Sequence, residues 1–156
     1  MKVYENNNDL IIENPADFDL EQTFECGQCF RWNKTEDGYF GIAYGNAVKI
    51  RQEKDKIILE DTSMLKWEST FRSYFDMDRD YGKIKKSLSH DEMMREAISF
   101  GEGIRILNQE PFETLISFII SASNNIPRIK KIISALCDNF GDEICYQGKI
   151  YHKEQI

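Results

Sequence analysis

Cys26 and Cys29 stand two residues apart in the stretch FECGQCFRW, and such a pair can serve in three ways. It can be a redox-active dithiol, half of a zinc site, or two thiols with no chemical task. A redox dithiol belongs at the start of a helix that follows a strand, where the helix dipole lowers the pKa of the first thiol. Here the pair runs into Phe30-Arg31-Trp32, which reads as a strand. A zinc site needs a second pair of ligands at similar spacing. Cys137 and Cys145 are spaced too widely to match it. Incidental cysteines are therefore the leading reading, and neither a metal nor a cofactor is expected.

A second group with chemical potential is basic. Arg128, Lys130 and Lys131 fall in a stretch from Asn124 to Cys137 that carries no acid, while acids crowd residues 5–19 and 55–60. The chain as a whole has a formal net charge of -7, which gives no general argument for binding nucleic acid. Taken alone, the three cations read as the solvated face of an amphipathic helix. The 156 residues suffice for one ordinary domain, or one domain with part of another. No apolar run approaches the roughly 18 residues that span a bilayer, and the start MKVYENNNDL lacks the profile of a secretory signal. A cytoplasmic location with reduced thiols is expected, and no membrane partner.

The elements that must position these groups divide the chain in two. CFRWN, GYFGIAYG, AVKIRQ and DKIILED mix β-branched and aromatic residues with polar alternation, and turn formers such as Asp37-Gly38 and Gly45-Asn46 separate them. Their close spacing leaves no room for crossover helices, so the sheet is expected to be antiparallel. Helical spacing then takes over. Ser63 is placed to cap a segment whose stripe is Met64, Trp67, Phe71, Tyr74 and Phe75, and Asp91 to start another. Pro111 opens a helix that is apolar nearly all round and should be buried. Asn125-Ile126-Pro127 opens the last clear helix, which Gly141 ends. Beyond Gly141 no amphipathic period is evident.

Gly27, between the two cysteines, marks a place where the backbone needs unusual torsions or where another group approaches it closely. With its neighbours it also carries a resemblance. Gly27, Gln28, Phe30, Arg31 and Trp32, then Gln109, Pro111, Glu113, Ser117, Phe118 and Ile119, then Asn124, Asn125, Ile126, Arg128 and Ile129, resemble the amino-terminal half of the 8-oxoguanine DNA glycosylases of the helix-hairpin-helix superfamily.

That resemblance implies an α+β fold, a twisted antiparallel sheet domain with flanking helices over residues 1–100. Residues 101–156 would be the first helices of a helical domain, ending before the helix-hairpin-helix. It implies base excision repair of oxidised guanine in double-stranded DNA, by a glycosylase/AP lyase that swings the damaged base out of the duplex. Gly27 would offer its carbonyl to the base, with Gln28 beside it. Ser123, Asn124 and Asn125 would enter the gap left in the duplex, and Arg128 would meet the cytosine left without a partner. The family usually has a third asparagine where this chain has Ser123. Lys130 and Lys131 would contact phosphate or solvent, because the family's nucleophilic lysine and catalytic aspartate lie beyond the segments matched. No catalytic residue is therefore assigned. A nucleoid-associated location, a complementary carboxy-terminal fragment and self-association through uncovered apolar helices are further expectations. The rival reading is a non-catalytic module that binds DNA or protein.

Overall fold

The computed structural model describes residues 1–153. Strands β1 (Lys2–Asn6), β2 (Asp9–Glu13), β3 (Trp32–Lys34), β4 (Tyr39–Ala43), β5 (Asn46–Glu53) and β6 (Lys56–Leu59) form one sheet in the order β1-β2-β6-β5-β4-β3. Every neighbouring pair is antiparallel, as the short connections require. The period of two puts Leu10 and Ile12, Val48 and Ile50, and Ile57 and Leu59 on the inner face, all fully buried. Register aligns them in layers: Leu10 pairs with Leu59, and Leu59 with Ile50.

The helical side of this core comes from two places. Ser63 caps α2 (Met64–Lys66), which runs through a π-helical turn, Trp67–Phe71, into α3 (Arg72–Tyr74). This run buries Trp67, Phe71, Tyr74 and Phe75 of the expected stripe, with Met64 partly buried against the same core. The other contributor is α1 (Leu20–Glu25), capped by Asp19, whose Phe24 stacks on Trp32 with ring centroids 4.2 Å apart. The Trp32 indole N–H donates to the Tyr74 hydroxyl at 2.8 Å. A Cβ added at Gly41 would come within 2.4 Å of the Trp32 ring, so only glycine lets the indole lie against β4.

Helices α4 (Tyr81–Leu88) and α5 (Glu92–Phe100) follow, capped by Asp80 and Asp91. Residues 101–110 then return across the sheet domain, and Leu107 joins its core. The buried Arg105 pins this segment, donating to the carbonyls of Asp76 (2.6 Å) and Ala16 (2.9 Å) with its guanidinium 4.6 Å from the Tyr81 ring centroid. Helices α6 (Pro111–Ser121) and α7 (Ile126–Phe140) come last, then a hairpin of β7 (Asp142–Tyr146) and β8 (Lys149–Lys153).

Three expectations are corrected. The strand expected from Cys29 begins only at Trp32, and a short helix precedes the cysteines. The stretch after Gly141 is a hairpin, turned by Gln147 (φ 47°) and Gly148 (φ 74°), which matches a two-residue turn of type I′. Helix α6 has no buried residue; its Ile120 packs on the α7 cluster, while Leu115, Phe118 and Ile119 stay exposed.

Candidate functional site

The loop from Cys26 to Arg31 has no regular structure of its own, and its neighbours hold its shape. Cys26 caps the C-terminal end of α1, and its thiol donates to the Thr23 carbonyl. That is the negative end of the helix dipole, opposite to the end that activates a redox thiol. Cys29 is buried, and burial pushes its thiol up to about 12. The Cys29 sulfur therefore lacks the setting of a low-pKa thiolate. Both serve as small packing or hydrogen-bonding groups.

Gly27 lies exposed at the turn of the loop with φ +86°, and a Cβ added there would meet nothing within 4 Å. The glycine answers a torsion that L side chains rarely adopt, and the space over it is open. Among the described residues no donor engages its carbonyl. Gln28 is the opposite case. Its side-chain amide donates to the carbonyls of Thr23 (2.9 Å) and Arg105 (2.7 Å) and accepts from the Leu107 N–H (3.0 Å). Its main-chain carbonyl accepts from Gln109 Nε2 at 2.6 Å. Arg31 also works within the protein, donating to the His152 carbonyl at 2.8 Å and lying against the Cys137 sulfur.

The two sequence motifs therefore meet. Gln28 of the first joins Gln109 of the second, and Phe30 packs on Ile129, Ile133 and Cys137 of α7. Lys130 donates to the Trp32 carbonyl at 2.7 Å, tying α7 to β3 instead of facing solvent freely, while Lys131 is exposed. A cavity of about 340 Å³ lies between this loop, β4, α7 and β8, with Arg31, Lys130 and Cys137 on its wall. Its two long cations are already engaged with main-chain carbonyls, so it is a seam between layers and not a reaction centre.

The turn between α6 and α7 holds the other candidates. Ser123 sits at φ +62°, a left-handed position that favours glycine and asparagine. Asn124 turns its amide back to the Ile120 carbonyl at 2.7 Å, closing the end of α6. Asn125 caps α7, accepting from the Arg128 N–H at 3.0 Å. The Arg128 side chain is exposed one turn into α7. Among the described residues no hydrogen bond joins this turn to the Gly27 loop. None of their His, Cys, Asp and Glu residues gather into a group able to hold a metal, and no helix is long and apolar enough to cross a membrane.

The sequence profile of the family described as "8-oxoguanine DNA glycosylase, N-terminal domain" matches residues 10–115. The chain belongs to this family. Curated relatives of this 8-oxoguanine glycosylase family chain include the N-glycosylase/DNA lyase of Saccharomyces cerevisiae, 32% identical over 89% of the chain and 41% of the relative. Another is the N-glycosylase/DNA lyase OGG1 of Arabidopsis thaliana, 31% identical over 79% of the chain and 36% of the relative. Among solved structures, MBOgg1 in complex with a low-affinity DNA ligand is 49% identical with a TM-score of 0.92, over 97% of this chain and 53% of that one. The Clostridium acetobutylicum 8-oxoguanine glycosylase/lyase, in complex with double-stranded DNA containing cytosine opposite 8-oxoguanine, is 42% identical with the same TM-score over 97% and 53%. The family chain thus spans about half the length of these solved relatives. A 3-methyladenine DNA glycosylase from Archaeoglobus fulgidus, at 17% identity and TM-score 0.66, shares the fold alone.

Sequence reasoning missed the role of Gln109, whose amide reaches Gln28 across 81 residues of chain. Its only signal was membership in the second motif.

Proposed function

We propose that this chain is the base-reading half of an 8-oxoguanine DNA glycosylase/AP lyase. It would bind double-stranded DNA carrying 8-oxoguanine, in a cytoplasmic, nucleoid-associated setting. The observation that carries the reading is Gly27 itself, exposed, in a glycine torsion, with open space where a side chain would begin and a carbonyl that no hydrogen bond of the described residues engages. Normal guanine presents a bare acceptor at N7, while 8-oxoguanine carries a hydrogen there. A carbonyl accepts from the second and repels the first. An unmade bond of this kind costs about 1–3 kcal/mol, roughly one to two decades of preference. The base must leave the stack to reach such a loop.

The α6–α7 turn would meet the duplex the base has left. Asn124 is bonded back to Ile120, so filling the gap falls to Asn125, whose cap uses its oxygen and leaves its amide donors for a base edge. The exposed Arg128 would meet the unpaired cytosine. Lys131 is placed for a phosphate contact, whereas Lys130 braces β3. Lys130 lies beside the far end of this loop with its amine given to the Trp32 carbonyl, and Lys131 is exposed on α7, so neither is assigned the attacking role. The bond-breaking amine is assigned to a carboxy-terminal portion such as the longer relatives have, packed on the apolar face of α6 where Leu115, Phe118 and Ile119 are 53–75% exposed.

Fluorescence anisotropy with two otherwise identical duplexes tests this. The 156-residue chain should bind 8-oxoguanine:cytosine at least about ten-fold more tightly than guanine:cytosine. Equal affinities overturn the reading. Borohydride treatment of the complex should trap no covalent adduct, and a trapped adduct would place the nucleophile in this chain.

A further inference from the structure

We propose that Gln109 and Gln28 are positioning residues that hold the Gly27–Gln28 peptide in place for reading a base, without touching the base themselves. The inference rests on the assignment of Gly27 above and adds what fixes its geometry. Residues 26–31 belong to neither a strand nor a helix, so no ladder of main-chain bonds holds them. A carbonyl that tells one extra hydrogen from a lone pair must nevertheless keep its direction, since a hydrogen bond weakens steeply with misalignment.

The clamp that supplies this is built from two side chains. The Gln28 amide uses both donors and its oxygen on the main chain of Thr23, Arg105 and Leu107, which leaves it little capacity for a substrate. Thr23 is itself fixed, donating to the Gly103 carbonyl at 3.1 Å and accepting from the Arg105 N–H at 3.2 Å. Gln109 then grips the Gln28 carbonyl from the other side at 2.6 Å. The residue after Gly27 is therefore held through both its side chain and its main chain. Its anchors are α1 and the 103–109 segment, which the buried Arg105 ties to the core. Gln109 precedes Glu110, the cap of α6, so the same bond ties the loop to the start of the helical pair.

The test uses the 156-residue chain with Gln109→Met and Gln109→Glu, which keep side-chain size and remove the donor, and with Gln109→Ala. Nuclear magnetic resonance reads amide exchange at Leu107, whose N–H donates to the Gln28 side chain, and the carbonyl carbon shift of Gln28. Exchange there should rise about ten-fold and the carbonyl shift should move, while amides of β5 and β6 stay unchanged. The preference for 8-oxoguanine:cytosine over guanine:cytosine should fall roughly three- to ten-fold, the worth of one hydrogen bond, with overall DNA affinity retained. Unchanged exchange and carbonyl shift overturn the clamp, as does a rise spread evenly over the sheet, which would mark a merely structural loss. A loosened loop with full preference overturns the positioning role. If the wild type shows no preference, the assignment of Gly27 fails, and the exchange data still decide whether the clamp exists.

Discussion

The sheet domain and the helical pair are built to different standards. Around the sheet, Trp32, Trp67, Phe24, Phe71 and Phe75 are buried to within 1%, and Phe24, Trp32, Phe75 and Phe71 interlock through stacked and tilted ring contacts. The helical pair has a small cluster of Ile129, Ile133 and Cys137, with Phe30 and Ile120 at its edge. On its outer side Phe118 is 75% and Phe140 67% exposed. The first region carries its own core. The second keeps an apolar face that its described neighbours leave exposed, and it is attached to the first by the packing of Phe30 on α7 and by bonds such as Lys130 to Trp32. Under the proposed function, recognition geometry would rest on the rigid region, and the surface offered to further polypeptide or to DNA on the looser one.

The sharpest way to break this contrast is a pair of truncations. Trp32→Ala should cost about 3–5 kcal/mol, the loss of a buried aromatic and its hydrogen bond, whereas Phe118→Ser should cost under about 0.5 kcal/mol. Urea unfolding measures both. Phe118→Lys should in addition lower self-association in ultracentrifugation, since an uncovered apolar face invites it. Equal losses from the two positions would mean that α6 is as well packed as the sheet.

The alkaline limb sharpens the contrast. The Cys29 thiol is raised from 9.0 to about 12 by burial. A raised folded pKa gives stability that is whole below pH 9 and is lost as pH climbs through 12. The unfolded thiol ionises first, with a slope of about 1.4 kcal/mol per pH unit. Between pH 9 and 11 the wild type should lose about 2 kcal/mol more than Cys29→Ala. Parallel losses would show that the loop opens enough to hydrate the thiol. Iodoacetamide at neutral pH should likewise label the exposed Cys26 and Cys145 well before Cys29.

The smallest effect lies in the α6–α7 turn. Ser123 occupies a left-handed torsion, so Ser123→Gly should stabilise by about 1 kcal/mol. The gain should appear in the unfolding midpoint, and a loss would mean that the serine side chain has a structural role there.

Much of this contrast was legible in the residues. The period of two in β5 and β6, and the caps Ser63, Asp91, Asn125 and Gly141, are local patterns, and local patterns set strands and helix ends. The family motifs marked the loop and the turn. Three things were not legible, each for a physical reason. Six residues of α1 sit beside a strand-like run and are too short for a clear helical period. The final hairpin hides behind a Gln-Gly turn that lacks the usual asparagine or aspartate signal. The bracing roles of Gln28, Gln109 and Lys130 depend on contacts across 77 to 98 residues of chain, which no local spacing encodes.

The central claim is that the carbonyl of Gly27 senses the hydrogen on N7 of an oxidised guanine. Its most direct test is the affinity of this chain for a duplex carrying 7-deaza-8-oxoguanine, in which that N–H becomes C–H, beside 8-oxoguanine in the same sequence opposite cytosine. The account predicts that affinity for the deaza base falls to the level of normal guanine or close to it. Affinity for the deaza base equal to that for 8-oxoguanine would contradict it.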